Sequence, residues 1–178
     1  MKVVCVAGRS GAGKTTLIER LIPVMKAQGL RVSVVKHAHH ALEIDHPGKD
    51  TYRHREAGAF EVVAASPQRL VLMREFEQPA SLSVDHLIAE LYDGVDWVLV
   101  EGFKHSSLLK VEVVRPEAGL PVLYANDPFV ACIACDAPHA LPAPTGLPVV
   151  ALSDPHALAR WLVHNGGRFE YEPERLAD

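Results

Sequence analysis

The sequence predicts an α/β fold in three layers: a mostly parallel sheet flanked by helices, with a β-hairpin extension. Three observations carry this. Residues 2–7 and 96–102 are short runs apolar on both faces, the pattern of strands buried inside a sheet. The segment between residues 14 and 28 has helical spacing and separates two such strands, which implies a right-handed parallel crossover. Residues Gly8 to Thr16 fit G-x-x-x-x-G-K-[ST] between a strand and a helix, the context that the phosphate-binding P-loop requires.

Taken in order, residues 2–7 form the first strand. Leu17, Leu21, Val24, Met25 and Gln28 fall near one helical face, and Gly29 supplies the stop. Pro23 should kink that helix or end it early. Residues 31–36 are the second strand, and residues 37–56 a long polar segment with Pro47-Gly48 as a turn. Residues 50–57 suit a short helix. Residues 60–65 and 69–74 are strands whose short link makes an antiparallel hairpin. Residues 84–92 read as a helix with Ser83 as N-cap. Strands follow at 96–102, 109–114, 121–125, 130–135 and 148–152, with loop over 137–148. Asp154 caps a final helix opened by Pro155, Asn165-Gly166-Gly167 end it, and residues 168–178 read as a polar tail. The whole of 1–178 reads as one nucleotide-binding domain.

The chemistry of the P-loop explains its spelling. Gly8, Gly11 and Gly13 let the backbone wrap so that N–H groups around Ser10 and Ala12 face phosphate oxygens. The helix opening at Lys14, Thr15 and Thr16 adds its positive end. Lys14 reaches the β- and γ-phosphates, and the Thr15 hydroxyl serves Mg²⁺. Glu101 ends a buried strand at the same sheet edge, where an acid holds Mg²⁺ or polarises a water. Lys14 and Glu101 are therefore the catalytic candidates, Thr15 and Glu101 the metal ligands.

Other candidates are less specific. His37, His39, His40, Asp45, Lys49, Asp50 and Arg53 follow the second strand, where switch or substrate loops sit. They suit phosphate or substrate contact first, a solvated loop second and metal third, because their spacing is no standard zinc pattern. Guanine offers two adjacent N–H donors that one carboxylate accepts together. Asp136 and Asp127 each follow an apolar run, and Asp136 ends the longer one. Cys132 and Cys135 form C-x-x-C, but three residues apart on a strand they face opposite sides, so they and Cys5 read as core.

Composition narrows the classes. A net charge of −4 gives no reason to expect nucleic-acid or membrane binding. No apolar run approaches a membrane span, and the start lacks the pattern of a signal peptide. Three cysteines, an odd number, argue for a reducing cytoplasm rather than a disulfide framework.

Several motifs occur together: Gly8–Thr16, Lys36-His37-Ala38-His39-His40, Asp45-His46-Pro47-Gly48-Lys49-Asp50-Thr51, Ala57-Gly58-Ala59 and Val100-Glu101-Gly102-Phe103-Lys104. In this order they resemble the molybdopterin-guanine dinucleotide biosynthesis adaptor (MobB) family, well over residues 2–105 and weakly beyond. The resemblance implies a cytoplasmic, homodimeric GTP-binding protein with weak, Mg²⁺-dependent GTPase activity. It implies a molybdopterin guanylyltransferase as partner, with molybdopterin or molybdoenzymes as further contacts. Two alternatives use the same P-loop: a small-molecule kinase, and a metallochaperone GTPase using the histidines of 37–54. Arg115 is the lone arginine between 104 and 148, too few for a kinase lid.

Overall fold

A computed structural model describes residues 1–38, 42, 44–119 and 121–173. Two compact units are present, one of residues 1–37 with 83–178, the other of residues 38–82.

The first unit is built on six parallel strands in the order β2-β5-β1-β6-β7-β8. These are β1 (Lys2–Ala7), β2 (Val32–Lys36), β5 (Trp97–Glu101), β6 (Lys110–Val113), β7 (Val130–Ala134) and β8 (Val149–Val150). Three helices belong to it: α1 (Lys14–Ala27), α3 (Val84–Ala89) and α4 (Pro155–His164). Val4 and Val6 of β1 pack with Leu17 and Leu21 of α1 and Leu158 and Leu162 of α4. Val3 and Cys5 point the other way, into a cluster with Val84 and Ile88 of α3. The alternation of side chains along one strand thus supplies both cores. β1 is central because every residue from Val3 to Ala7 is buried.

The caps behave as their chemistry requires. The Ser83 hydroxyl accepts the His86 N–H at 3.2 Å, and the Asp154 carboxylate accepts the Ala157 N–H at 3.0 Å. α1 runs on through Pro23 to Ala27, so the early end does not occur. Pro23 is exposed, so the carbonyl it leaves without a partner is open to water, while buried Val24 and Met25 hold the turn on the core.

Two further expectations fail. Residues 121–125 form no strand; the Leu123 and Tyr124 N–H groups donate to the Glu112 carboxylate, each at 2.7 Å, instead of to a neighbouring strand. The tail beyond residue 168 is not simply polar surface. Phe169 is buried, with its ring 5.6 Å from that of Trp97 and 5.9 Å from that of Trp161.

The second unit holds α2 (Asp50–Glu56) and the hairpin β3 (Glu61–Ser66) and β4 (Arg69–Arg74). The pair is antiparallel, with Val63 opposite Leu72 and Ala65 opposite Leu70. No described residue of α2 is buried.

Candidate functional site

The P-loop leaves the carboxyl end of β1. Gly8 has φ 138°, and a Cβ there would lie 2.5 Å from the Val113 carbonyl oxygen of β6, so only glycine fits. Gly13 is the N-cap of α1 and offers no side chain to the first-turn N–H groups, which remain available to an anion. The Lys14 ammonium lies inside the loop, donating to the carbonyls of Gly8 at 3.1 Å and Arg9 at 2.8 Å. Burial pulls its pKa below the ordinary lysine value; Glu101 opposes this, and the nearby Lys36 and Lys104 reinforce it.

Glu101 stands at the end of β5, next to β1. Its Oε1 accepts the Thr15 hydroxyl at 2.6 Å. The strand register sets Lys36 of β2 beside it, and the Lys36 ammonium lies 3.2 Å from both carboxylate oxygens. A hydroxyl and a carboxylate oxygen converge here, and a cationic group already rests on the carboxylate. That donor set is all oxygen, the chemistry Mg²⁺ prefers, so the residues fit the ion.

On the other side of the loop, β7 ends next to α1. A small cleft of about 120 Å³ is lined by Gly13, Thr16, Arg115, Asp136, Leu152 and Ser153. Asp136 Oδ1 accepts the Ser153 N–H at 2.7 Å, and this bond holds the carboxyl below its ordinary pKa. Asp127 lies elsewhere: Oδ2 pairs with the buried Lys110 ammonium at 3.2 Å and Oδ1 accepts the Phe129 N–H. Of the two carboxylates that could read a base, Asp136 borders the P-loop helix and Asp127 is tied to Lys110.

Two residues at this edge were not read as site residues from sequence. Lys36 touches Glu101 directly. Arg115 follows β6, and its Nε donates to the Ala12 carbonyl at 3.2 Å on the back of the P-loop. Their common signal is position, since each stands at the carboxyl end of a strand in this sheet.

The remaining candidates divide between the two units. His37 stacks on Phe103, ring centroids 4.6 Å apart, and its N–H donates to the Glu101 carbonyl at 3.0 Å. Asp45 in the second unit accepts from the Thr51 hydroxyl at 3.0 Å and from Arg55 Nε at 3.3 Å, and Arg55 also reaches Glu75 at 2.8 Å. Lys49 precedes α2, and Asp50 and Arg53 form an exposed pair on it at 3.9 Å. His39 and His40 lie outside the described residues. Among the described residues no group of three or more His, Cys, Asp or Glu stands together as metal ligands. Cys5, Cys132 and Cys135 are buried free thiols, and burial pushes the first two up to about 12.

The sequence model of molybdopterin guanine dinucleotide synthesis protein B, MobB, matches residues 3–136. The chain belongs to the MobB family. The molybdopterin-guanine dinucleotide biosynthesis adapter protein of Escherichia coli K12 is 41% identical over 134 residues, 74% of this chain and 77% of that one. The adapter protein of Haemophilus influenzae is 43% identical over 135 residues, 75% of this chain and 74% of that one. Solved structures agree. Bacillus subtilis MobB superposes with a TM-score of 0.67 at 28% identity, covering 97% of this chain and 100% of that one. A MobB homolog from Bacillus stearothermophilus gives 0.68 at 26% identity, covering 94% and 99%. The range matched by the family runs from β1 to Asp136 and contains every candidate site residue named above. No helix of the described residues is long and apolar enough to cross a membrane.

Proposed function

We propose that this protein is a GTP-binding adapter with slow Mg²⁺-dependent GTPase activity, assisting attachment of GMP to molybdopterin. The names of its curated relatives support the pathway. The observation that carries the nucleotide reading is the 2.6 Å contact between Thr15 and Glu101, which joins the P-loop to a carboxylate at the same sheet edge.

In this reading the backbone N–H groups from Ser10 to Thr16 bind the phosphates and Lys14 neutralises them. Thr15 and Glu101 hold Mg²⁺, which when bound screens the negative charge that builds on the phosphates. The Lys36 ammonium, 3.2 Å from both Glu101 oxygens, would add positive charge beside the phosphates and the ion. Asp136, beside Gly13 and Thr16, accepts the two adjacent N–H donors of guanine. Slow turnover is expected because, among the described residues, neither Arg115 nor Arg9 is free to act on the phosphates. Arg115 is held on the Ala12 carbonyl, and Arg9 donates to the Ala118 carbonyl. The cytoplasm is the proposed compartment, with a molybdopterin guanylyltransferase as partner. Self-association as a homodimer has apolar surface to bury at Val63, Leu70 and Leu72 of the hairpin.

Calorimetric titration with GTP and ATP in the presence of Mg²⁺ tests the reading. GTP is expected to bind at least about tenfold tighter, about 1.4 kcal/mol. Tight ATP binding with no response to GTP overturns it.

A further inference from the structure

Lys110 and Glu112 are the two buried charged side chains among the described residues, and both stand on β6. Two residues apart on a strand, they share one face, opposite the face that carries Val111 and Val113 into the core with α1. Burying a charge is costly unless every donor or acceptor is satisfied. Here the partners are two loops. The Lys110 ammonium donates to the carbonyls of Ser106 at 2.6 Å and Leu108 at 3.1 Å, and pairs with Asp127 at 3.2 Å. Glu112 accepts the N–H groups of Leu123 and Tyr124. One buried cation thus ties the 106–108 turn to Asp127, and one buried anion fixes the 123–124 segment.

Those two loops are the walls of a cleft of about 400 Å³ that includes Lys104, His105, Ser106, Leu123, Asn126 and Phe129. Ser106 Oγ, on one wall, is the one buried side-chain oxygen or nitrogen without a hydrogen-bond partner among the described residues. An unsatisfied buried hydroxyl is a cost the fold retains, and a ligand atom relieves it. Phe129 is 39% exposed and offers part of a flat apolar surface. At the rim, Lys104 and His105 are exposed. The turn leading to Lys104 is constrained, since Phe103 has φ 49° and is stacked against His37. Lys104 follows Glu101 by three residues, so the cleft opens at the sheet edge where β5 ends, the edge that carries the P-loop.

We propose that this cleft is a second ligand site, taking a fused 2-amino-4-oxopyrimidine ring system that carries a phosphomonoester. The ring lies against Phe129, its lactam edge meets Asn126 and Ser106, and its phosphate meets Lys104 and His105. Asn126 is suited to that edge because one amide both donates and accepts. Pterins and guanines share this chemistry, and the choice of a pterin as the main probe rests on the proposed function. Two ligands bound side by side at neighbouring ends of Lys14 and Lys104 would give an adapter a way to sense nucleotide and pterin together.

The test is a fluorescence and calorimetric titration with neopterin monophosphate, neopterin and GMP, in the wild type and in variants. The phosphorylated pterin is expected to bind saturably, with affinity within threefold in Lys14→Ala and at least tenfold weaker in Phe129→Ala and in the exposed Asn126→Ala. Lys104→Ala is expected to weaken neopterin monophosphate but not neopterin. GMP binding that survives Lys14→Ala and falls in Asn126→Ala assigns the site to a guanine nucleotide instead of a pterin, within the same chemistry. Absence of saturable binding by both phosphorylated probes overturns the proposal, as does binding lost in Lys14→Ala and kept in Asn126→Ala. A parallel GTP titration separates the two readings: GTP binding with no Lys14-independent binding of either phosphorylated probe sinks the second site alone, and the reverse sinks the nucleotide reading alone.

Discussion

The two units handle apolar side chains in opposite ways. In the first, Val4, Val98, Leu99 and Val100 are fully buried, and helices or loops cover both faces of the sheet. In the second, Val62 is the lone buried hydrophobic among the described residues, while Val63 and Leu70 are more than half exposed at 58% and 69%. The second unit is instead laced by ion pairs: Asp45 with Arg55, Arg55 with Glu75, and Arg74 with Glu61. A packed core holds its loops through many close contacts, whereas ion pairs at a surface contribute about 0–1 kcal/mol each, and of these pairs Asp45 with Arg55 is the most enclosed. The difference assigns tasks. In the proposed reading the phosphate and metal contacts, which need fixed geometry, fall on the first unit, and the second unit is expected to exchange its amides more readily.

Substitutions in matched pairs break or sharpen that contrast. The largest expected effect is at Lys14. Lys14→Ala should weaken GTP binding about 100-fold, about 2.7 kcal/mol, with an unchanged far-UV spectrum, whereas Asp50→Ala in the second unit should stay within threefold. Equal losses in calorimetry would erase the division of labour.

Glycine replacements come next. Gly8→Ala meets the Val113 carbonyl as well as adverse backbone geometry, and should cost about 2–3 kcal/mol in chemical denaturation. Gly58 has φ 97° with nothing within 4 Å, so Gly58→Ala carries the backbone term alone, about 1 kcal/mol. A smaller loss at Gly8 than at Gly58 would contradict the close approach of loop and sheet.

A smaller effect is expected from acid. Burial pushes the Asp45 carboxyl up, but hydrogen bonds from Thr51, the His46 N–H and Arg55 outweigh it and hold the group below its ordinary value. Its stabilising contribution is therefore fully present above the ordinary aspartate pKa and is lost as pH falls through the depressed one. Amide hydrogen exchange across residues 45–75 should speed up over that acid window, and Asp45→Asn should remove the dependence. The smallest expected signal is from the thiols. With Cys5 and Cys132 pushed up to about 12 and all three buried, a thiol reagent near neutral pH should label none in the native state. Rapid labelling of Cys5 would mean that the β1 core opens as readily as the hairpin.

Local signals carried much of this architecture. The runs at β1, β5 and β7 are apolar on both faces, and the P-loop spelling is short-range, so strand, loop and helix could be read in place. The hairpin was legible from its three-residue link. What escaped was non-local. Val122, Leu123 and Tyr124 look like strand residues because they are apolar, yet the N–H groups of Leu123 and Tyr124 go to Glu112, a side chain on another segment. Lys110 and Glu112 alternate with valines as if facing water, and only the folded loops make them buried anchors. Phe169 was hidden by the glycines before it, because its partner Trp97 is distant in sequence and Trp161 lies across the helix end. In the candidate site, Thr15 and Glu101 were readable as motif and strand end. Lys36 and Arg115 were not, because their roles depend on which strands lie side by side, β2 beside β5 and β6 beside β1.

The central claim is that Glu101 and Thr15 form the metal position of a nucleotide site. Its most direct test is a GTP titration of Glu101→Gln with and without Mg²⁺. The account predicts that Mg²⁺-free binding stays within threefold of wild type, while Mg²⁺ no longer tightens binding or supports hydrolysis. Full Mg²⁺ dependence retained in Glu101→Gln would contradict it.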